Sequence, residues 1–259
     1  MRLDQLLVNR GLARSRAAAV EMISAGQVTV AGVTTTKPSK PVPAAAVIAV
    51  AEQSSEVSRA ARKLSGMLDI LSAKGMAPNI TGKDCLDVGA STGGFTQVLL
   101  AAGAKRVIAL DVGYNQLRPE LRADPRVIVL EKVNARYLTP ELLPFNPQII
   151  VADVSFISLT MIIPALATVS QPGTVALLLI KPQFEVGRSR LGKGGIVRNQ
   201  SDIDWAISAV LASAAANRLD VETVIPSPIT GESGNQEYFL IGRTPLGSSN
   251  HMRLSPDII

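Results

Sequence analysis

This sequence of 259 residues has one cysteine, one histidine and only 3% aromatic residues. With Cys85 alone, an internal disulfide is impossible and a zinc site built from thiolates is implausible. The single histidine, His251, lies in a polar segment near the C-terminal end. Ser-His-Asp catalysis, Cys-His catalysis and histidine metal sites are therefore disfavoured, and we expect no bound metal. Any chemistry must use Lys, Asp, Glu, Ser, Thr, Tyr, the backbone or a cofactor.

The sequence also lacks an uninterrupted hydrophobic run that would indicate secretion or membrane insertion. Charged residues interrupt the first stretch of the chain. Residues 154–180 contain no charge, but Pro164 and a turn at 171–173 divide them. We interpret this segment as a buried helix, a turn and a strand. We therefore expect a cytoplasmic protein without stable membrane association.

Positive charge is concentrated at the beginning of the chain. Residues 1–63 contain nine basic and four acidic residues, which accounts for the whole net charge of +5. The other 196 residues contain 17 basic and 17 acidic residues. A basic head on a neutral body indicates a small module that binds a polyanion, joined to a second domain.

The pattern along the chain divides it into four parts. Residues 1–50 predict two short helices followed by short strands, with Ser15 capping the second helix. Residues 51–58 are polar and without periodicity, which indicates a linker. Residues 59–243 form the second domain, and residues 244–259 are expected to be a flexible tail.

In the second domain, apolar runs alternate with amphipathic segments, which predicts a mostly parallel sheet covered by helices on both faces. The predicted strands are 85–88, 107–110, 127–130, 149–152, 175–180, 221–225 and 238–241. The predicted helices are 59–74, 93–102, 115–122, 158–168 and 202–217.

A glycine-rich segment, DVGASTGGF at 87–95, follows the first strand and begins a helix. Its spacing differs from both the dinucleotide pattern and the phosphate-binding P-loop. Asp87 would repel a pyrophosphate but suits a ligand with ammonium and sulfonium charges. Asp111, at the end of the second strand, could accept hydrogen bonds from a ribose diol. Together these features favour S-adenosylmethionine, with a generic strand-to-helix turn as the alternative. The cofactor contacts expected here are Asp87, Gly89, Ala90, Ser91, Thr92, Gly93, Gly94, Phe95 and Asp111.

Charged residues follow two neighbouring strands of the predicted sheet. Asp153 ends the fourth strand and Lys181 ends the fifth, so parallel strands would bring both to one edge. Glu237 begins the last strand and would lie at the same edge if that strand runs antiparallel. Lys63 precedes the first strand, and the sequence leaves its position open. A solvated charge is the alternative interpretation for each residue.

A cluster of two lysines and two carboxylates suits O-methylation of an alcohol. A lysine can accept the hydroxyl proton if its pKa falls from about 10.4 toward roughly 7–8 through burial and a cationic neighbour. Carbon methylation of cytosine needs a nucleophilic cysteine, and the only cysteine lies in a predicted strand. Amine methylation typically uses an Asp/Asn-Pro-Pro-aromatic run, whereas residues 153–156 read DVSF.

Several separated segments resemble the TlyA/hemolysin-A family of bacterial ribosomal-RNA 2′-O-ribose methyltransferases, which have an FtsJ-type catalytic domain. The segments are CLDVGASTGGFTQVLL at 85–100, IIVADVSFISL at 149–159, IKPQFEVG at 180–187 and GNQEYF at 234–239. The head, with RLD at 2–4, GLARSR at 11–16 and KP at 37–38, resembles the α-L RNA-binding module of ribosomal proteins.

The resemblance implies a Rossmann-like α/β methyltransferase with a seven-stranded, mostly parallel sheet whose last strand is antiparallel, preceded by a small α-L domain. It implies a substrate in ribosomal RNA within an assembled subunit. The implied catalytic tetrad is Lys63, Asp153, Lys181 and Glu237, with Lys181 accepting the proton. Asn134 and Asp153 join the implied cofactor contacts. The implied RNA contacts are Arg2, Arg14, Arg16 and Lys37, for which ordinary solvated charges are the alternative.

Two other classes of function remain open from the sequence. One is a non-catalytic RNA-binding or ribosome-assembly protein that keeps the fold, although the four charged residues argue against it. The other is a membrane-active hemolysin, although no basic amphipathic helix or spanning segment is visible to support it.

Overall fold

The computed structural model divides the chain into two compact units, Met1–Glu56 and Val57–Ile259. The residues that it describes are 1–13, 16–24, 26–50, 59–187, 190–231 and 233–246. The predictions for Arg14, Ser15, the linker at 51–58 and most of the tail lie outside these residues.

The first unit consists of two helices and a small antiparallel sheet. Its elements are α1 (Leu3–Asn9), α2 (Arg16–Ser24), β1 (Val28–Val30), β2 (Val33–Thr34) and β3 (Ile48–Val50). The sheet has the order β2-β1-β3, with both pairs antiparallel. Leu3, Leu6 and Leu7 share one face of α1, and they pack with Ile23 and Val28 in the core of this unit.

A buried carboxylate organises the surface of the first unit. Asp4 is fully buried in α1, and its oxygens accept hydrogen bonds from Arg2 at 2.9 and 3.0 Å and from Arg16 at 3.0 Å. The two guanidinium groups hold the pKa of Asp4 far below its usual range. Two arginines expected to contact RNA are therefore fixed by one carboxylate, while 44% and 57% of their side chains stay exposed.

The second unit alternates strands and helices, as the sequence predicts. Its elements are α3 (Arg59–Ala73), β4 (Asp84–Val88), α4 (Gly94–Ala101), β5 (Arg106–Asp111), α5 (Pro119–Arg122), β6 (Val127–Glu131), β7 (Ile149–Ala152), α6 (Leu159–Val169), β8 (Val175–Ile180), α7 (Pro182–Glu185), α8 (Gln200–Ala216), β9 (Asp220–Pro226) and β10 (Tyr238–Arg243). Short 3-10 helices lie at Ala135–Tyr137, Pro140–Leu142 and Lys193–Gly195.

One seven-stranded sheet runs through the second unit in the order β6-β5-β4-β7-β8-β10-β9. The strands from β6 to β8 pair in parallel, whereas β10 is antiparallel to both of its neighbours. This confirms the predicted Rossmann-like fold class. Tyr238 pairs with Ile180, so the start of β10 lies beside the end of β8. The carboxyl ends of the parallel strands and the start of β10 therefore share one edge.

Apolar side chains on the two faces of the sheet form two core clusters under the helices. The parallel strands supply residues to both clusters, which explains why their sequences are apolar at almost every position. Phe95 of α4 belongs to one cluster, where its ring stacks on Phe239 of β10 at 6.1 Å between centroids.

Two segments show how proline shapes this fold. The helix predicted over 115–122 is only the four residues of α5, because Pro119 holds Arg118 in an extended conformation just before the helix. The uncharged segment 154–180 forms α6, with Pro164 inside it, then a turn and β8. Within the described ranges, no helix has the length and apolar composition needed to cross a membrane.

We predict that Asp4→Asn destabilises the first unit, because it removes the charge that pairs with both guanidinium groups. Loss of these charge-assisted hydrogen bonds should cost about 1.5–3 kcal/mol. Because folding lowers the pKa of Asp4 from 3.8, its contribution is complete above that value and is lost as the pH falls below it. Hydrogen–deuterium exchange over residues 1–50 of the full chain should therefore accelerate in the variant at neutral pH.

Asp124→Asn is the matched control, since Asp124 also pairs with an arginine, Arg126, but in the second unit. Its exchange over residues 1–50 should equal that of the wild type. Unchanged exchange in Asp4→Asn would show that the carboxylate does not organise this unit.

Candidate active site

Four charged side chains meet at the carboxyl edge of the sheet. Lys181, which follows β8, places Nζ 2.6 Å from Oδ1 of Asp153, which follows β7. Lys63 of α3 places Nζ 3.8 Å from Oδ2 of Asp153 and 2.7 Å from Oε2 of Glu237. The structure therefore joins the four predicted residues in a chain of alternating sign, Lys181–Asp153–Lys63–Glu237.

These charges are removed from water. The side chains of Lys63, Asp153, Lys181 and Glu237 are 8%, 11%, 9% and 2% exposed. Burial of an ionised side chain is strongly unfavourable unless a partner of opposite sign lies close to it. The two ammonium groups balance the two carboxylates, so loss of any one member would leave the buried cluster with a net charge.

Lys181 contacts both the loop after β7 and the helix α7. Pro182 begins α7 directly after it, so the lysine stays extended at the end of the strand. Its Nζ donates a hydrogen bond to Oγ of Ser155 at 2.8 Å, in the loop after β7. The same Nζ lies 5.9 Å from the centre of the Phe184 ring. These contacts fix the position of the amine that we expect to act as the base.

Glu237 lies against a loop that has no room for a larger residue. A Cβ atom at Gly231 would come within 2.5 Å of its Oε1, and Nε2 of Gln183 donates to the same oxygen at 3.4 Å. The buried Asn235 fixes this loop from the other side, since its Oδ1 accepts from the Val197 N–H at 2.9 Å. The loop therefore holds the carboxylate toward Lys63.

The glycine-rich loop after β4 contacts the loop that carries Asp153. Gly89 has a φ of +82°, and a Cβ atom there would come within 2.7 Å of the Asp153 carbonyl oxygen. Asp111 accepts hydrogen bonds from the N–H groups of Ser91 at 2.8 Å and Gly113 at 2.7 Å. A carboxylate has further lone pairs for the hydroxyls of a ribose.

Asp87 lies beneath this loop and is fully buried. The Thr96 hydroxyl donates to its Oδ2 at 2.6 Å, while its Oδ1 has no hydrogen-bond partner among the described residues. Burial raises the pKa of Asp87 to about 7; the Thr96 hydrogen bond opposes this shift, and the charges of Asp153 and Asp111 add to it. The Asp87 carboxylate therefore lies beneath the glycine-rich loop and is not part of the loop's exposed surface.

The other predicted residues have different surroundings. The Phe95 ring belongs to the core, so only its backbone could face a ligand. Asn134 is exposed after β6, where its Oδ1 accepts from the Arg136 N–H at 3.0 Å and caps a 3-10 helix. In the first unit, Lys37 is exposed.

The sequence interpretation missed an aromatic residue beside the tetrad. Phe156 is 91% exposed, and its ring centre lies 5.2 Å from that of Phe184. Its φ of +64° is rare for a bulky side chain and turns the ring outward. A signal was available, because Phe156 comes just three residues after Asp153.

The loop and its surroundings fit S-adenosylmethionine. Gly89 lets the glycine-rich loop lie close to the Asp153 carbonyl, and the buried Asp87 carboxyl beneath that loop has one oxygen without a hydrogen-bond partner among the described residues. Asp111 can bind a ribose diol, and the neighbouring Val112 and Tyr114 are 70% and 67% exposed. Their side chains offer an apolar surface for a purine.

Comparison with known proteins gives consistent matches over both units. Residues 56–244 match the family model described as FtsJ-like methyltransferase, and residues 1–48 match the S4 domain. The chain is 46% identical over 245 residues to the 16S/23S rRNA (cytidine-2′-O)-methyltransferase TlyA of Mycobacterium tuberculosis, covering 94% of this chain and 90% of that protein.

Solved structures agree with these matches. A structure from Streptococcus thermophilus, described as a candidate hemolysin, is 36% identical with a TM-score of 0.71 and covers 95% of this chain and 88% of that one. An S-adenosylmethionine dependent methyltransferase from Mesorhizobium loti, 14% identical with a TM-score of 0.52 over 70% of this chain and 99% of its own, shares the fold.

We predict that Asp87→Asn makes the second unit more stable at pH 8. Because folding raises the pKa of Asp87 from 3.8 to about 7, the wild type loses stability as the pH rises through this interval. Asparagine carries no charge at any pH, so the variant should gain roughly 1–3 kcal/mol at pH 8 and almost nothing at pH 4. Urea unfolding at the two pH values measures the difference.

Thr96→Val is the companion variant, since it removes the hydroxyl that favours the ionised form of Asp87. Its loss of stability with rising pH should be larger than that of the wild type. If the free energy of unfolding depended on pH equally in the wild type and in Asp87→Asn, the raised pKa of Asp87 would be contradicted.

Proposed function

Because the chain belongs to the TlyA family of FtsJ-like methyltransferases, we propose that it transfers a methyl group from S-adenosylmethionine to a ribose 2′-hydroxyl of ribosomal RNA. The observation that carries this proposal is the paired, buried chain of Lys181, Asp153, Lys63 and Glu237. It lies at the same sheet edge as the glycine-rich loop.

The reaction needs a base, since a ribose hydroxyl is a very weak acid. When bound, S-adenosylmethionine supplies an electrophilic methyl group on a positively charged sulfur. The amine of Lys181 would accept the hydroxyl proton as the methyl group passes from the sulfur to the ribose oxygen. Asp153 and Ser155 fix the Lys181 Nζ, which would in turn hold the hydroxyl in position for the transfer.

Lys63 and Glu237 complete the charge balance around this base. Lys63 contacts both carboxylates and thereby links Asp153 to Glu237. In this scheme neither residue exchanges a proton with the substrate. They orient Asp153 and exclude water from the ion pair between Asp153 and Lys181.

The segments that follow β4, β5 and β6 would hold the cofactor. We assign the amino-acid portion to the backbone of residues 89–94, with the negative charge of Asp87 beneath it. Asp111 would bind the ribose, and Asn134 would contact the adenine region. Phe95 supports the loop through its packing on Phe239.

Ribosomal RNA is the proposed substrate because the first unit matches the S4 domain and because residues 1–50 contain six basic and two acidic residues. The arginines fixed by Asp4, together with Arg14 and Lys37, would contact phosphate groups. The M. tuberculosis relative is named for cytidine 2′-O-methylation in 16S and 23S rRNA. We propose the same kind of target here, in assembled subunits of the cytoplasm.

Phe156 extends the proposal to the target base. Exposed aromatic rings bind unpaired bases by stacking, and this ring lies in the loop that also carries Asp153 and Ser155. A base stacked on Phe156 would bring its own ribose to the same edge as Lys181. The tilted ring of Phe184 supports Phe156 from the other side.

We predict that Lys181→Ala abolishes most methyl transfer while it retains cofactor binding. Loss of a general base typically lowers the rate by about 10²–10⁴-fold. Label from methyl-labelled S-adenosylmethionine should enter isolated ribosomal subunits or naked rRNA with the wild type and be largely lost with the variant. Calorimetry measures cofactor affinity in parallel.

The matched control is Lys105→Ala, at an exposed lysine between α4 and β5, the opposite end of the strands. It should leave the rate unchanged. Failure of the wild type to label either substrate would refute the proposed activity, and full activity in Lys181→Ala would refute the role of this lysine.

We predict that Phe156→Ala weakens RNA recognition without affecting cofactor affinity. Stacking of a base on an aromatic ring contributes about 1–3 kcal/mol, which corresponds to a loss of roughly 5- to 150-fold in kcat/KM for RNA. Phe156→Tyr keeps the ring and should stay within about twofold of the wild type. Equal kcat/KM in Phe156→Ala and wild type would exclude the stacking role.

A further inference from the structure

The loop between β7 and α6 carries the groups closest to the proposed chemistry. It begins at Asp153 and contains Ser155, whose hydroxyl binds Lys181, and the exposed Phe156. Phe156 has a backbone conformation that costs energy for a bulky residue, so surrounding contacts must hold it. The loop ends at Ser158, directly before α6.

Glu185, a half-buried residue at the end of α7, binds this end of the loop. Its Oε1 accepts a hydrogen bond from the Leu159 N–H at 2.9 Å, and its Oε2 accepts one from the Ser158 hydroxyl. Ser158 in turn accepts from the Thr160 N–H at 3.0 Å as the N-terminal cap of α6. One carboxylate thus bonds two consecutive residues at the start of the helix.

The other end of the loop is fixed from the same direction. Lys181 immediately precedes α7 and binds Ser155 at 2.8 Å. Phe184, adjacent to Glu185 in α7, packs its ring on Phe156. The short segment 181–185 therefore contacts the loop at its start, at its exposed ring and at its end.

We propose that Glu185 is a positioning residue for methyl transfer, which holds the 153–158 loop so that Phe156 and Ser155 keep their places beside Lys181. This role rests on the proposed function and adds a residue to it. Glu185 touches neither the tetrad nor the exposed face of Phe156 in the described contacts. It acts through Ser158 and Leu159.

The chemistry of the carboxylate explains why glutamate suits this position. Both of its oxygens accept hydrogen bonds, one from a backbone N–H and one from a hydroxyl. Glutamine would keep an oxygen for the Leu159 N–H and an amide that can bond to Ser158 Oγ. Alanine would leave the Leu159 N–H and the Ser158 hydroxyl without these hydrogen bonds. Glu185→Gln should therefore rescue what Glu185→Ala loses.

A double-mutant cycle between Glu185→Ala and Phe156→Ala tests the proposal on the full chain, with kcat/KM for methylation of ribosomal RNA as the readout. We expect Glu185→Ala to lower kcat/KM by about 5- to 30-fold, with unchanged cofactor affinity. In that background, Phe156→Ala should cost less than about twofold, because the ring has already lost its position. Glu185→Gln should stay within about threefold of the wild type.

Two further variants separate positioning from general stability. Ser170→Ala removes a hydroxyl that donates to the Leu166 carbonyl at the opposite end of α6, so Phe156→Ala should keep its full cost in that background. Ser158→Ala removes one of the two Glu185 contacts and should give an intermediate loss; it also serves if Glu185→Ala does not fold.

The proposal would be overturned if Phe156→Ala lowered kcat/KM by the same factor in the wild-type and Glu185→Ala backgrounds. An unchanged kcat/KM in Glu185→Ala would also overturn it. Wild-type protein that transfers no methyl group would instead refute the proposed activity. In that case the same cycle, measured on the dissociation constant for ribosomal RNA, still decides whether Glu185 positions Phe156.

Discussion

The candidate site depends on one shared carboxylate. Asp153 contacts Lys181 through one oxygen and Lys63 through the other, and its backbone carbonyl lies where Gly89 leaves room for it. The same residue therefore connects the two lysines to each other and the tetrad to the glycine-rich loop. In a buried cluster of this kind the charges are interdependent, because each ammonium needs a carboxylate and each carboxylate needs an ammonium. This interdependence fixes the geometry more strictly than any single ion pair would.

Sheet topology brings this cluster together. Parallel strands place Asp153 and Lys181 at one edge, as in other open α/β sheets. The antiparallel β10 lies between β8 and β9, so its first residues come to that edge instead of the opposite one. A parallel β10 would carry Glu237 to the far end of the sheet. The chain reversal before β10 thus supplies the second carboxylate, and the loop held by Asn235 and Gly231 gives it its orientation.

The sequence predicted the parts of this site that local pattern determines. Asp153 and Lys181 could be found because each charge ends an apolar run, and the positions of Glu237 and Lys63 depended on topology and on the packing of α3. The surroundings of Asp87 and Glu185 could not be predicted, since burial and the Ser158 contact arise from residues distant in sequence. The exposure of Phe156 follows from a left-handed backbone conformation that its residue type does not favour. The helix predicted over 115–122 is shorter in the structure, because Pro119 sets its start.

Two buried aspartates show how differently one residue type serves the two units. Asp4 lies between two guanidinium groups, its pKa is lowered, and its charge stabilises the first unit. Within the part of the chain that the structure describes, Asp87 has no cationic hydrogen-bond partner, its pKa is raised to about 7, and its charge destabilises the fold in which it lies. The sequence retains this carboxylate beneath a glycine-rich loop although its charge destabilises the fold. Such a carboxylate is complementary to a ligand that carries a positive charge. Under the proposed function, the ammonium and sulfonium groups of S-adenosylmethionine would supply that charge.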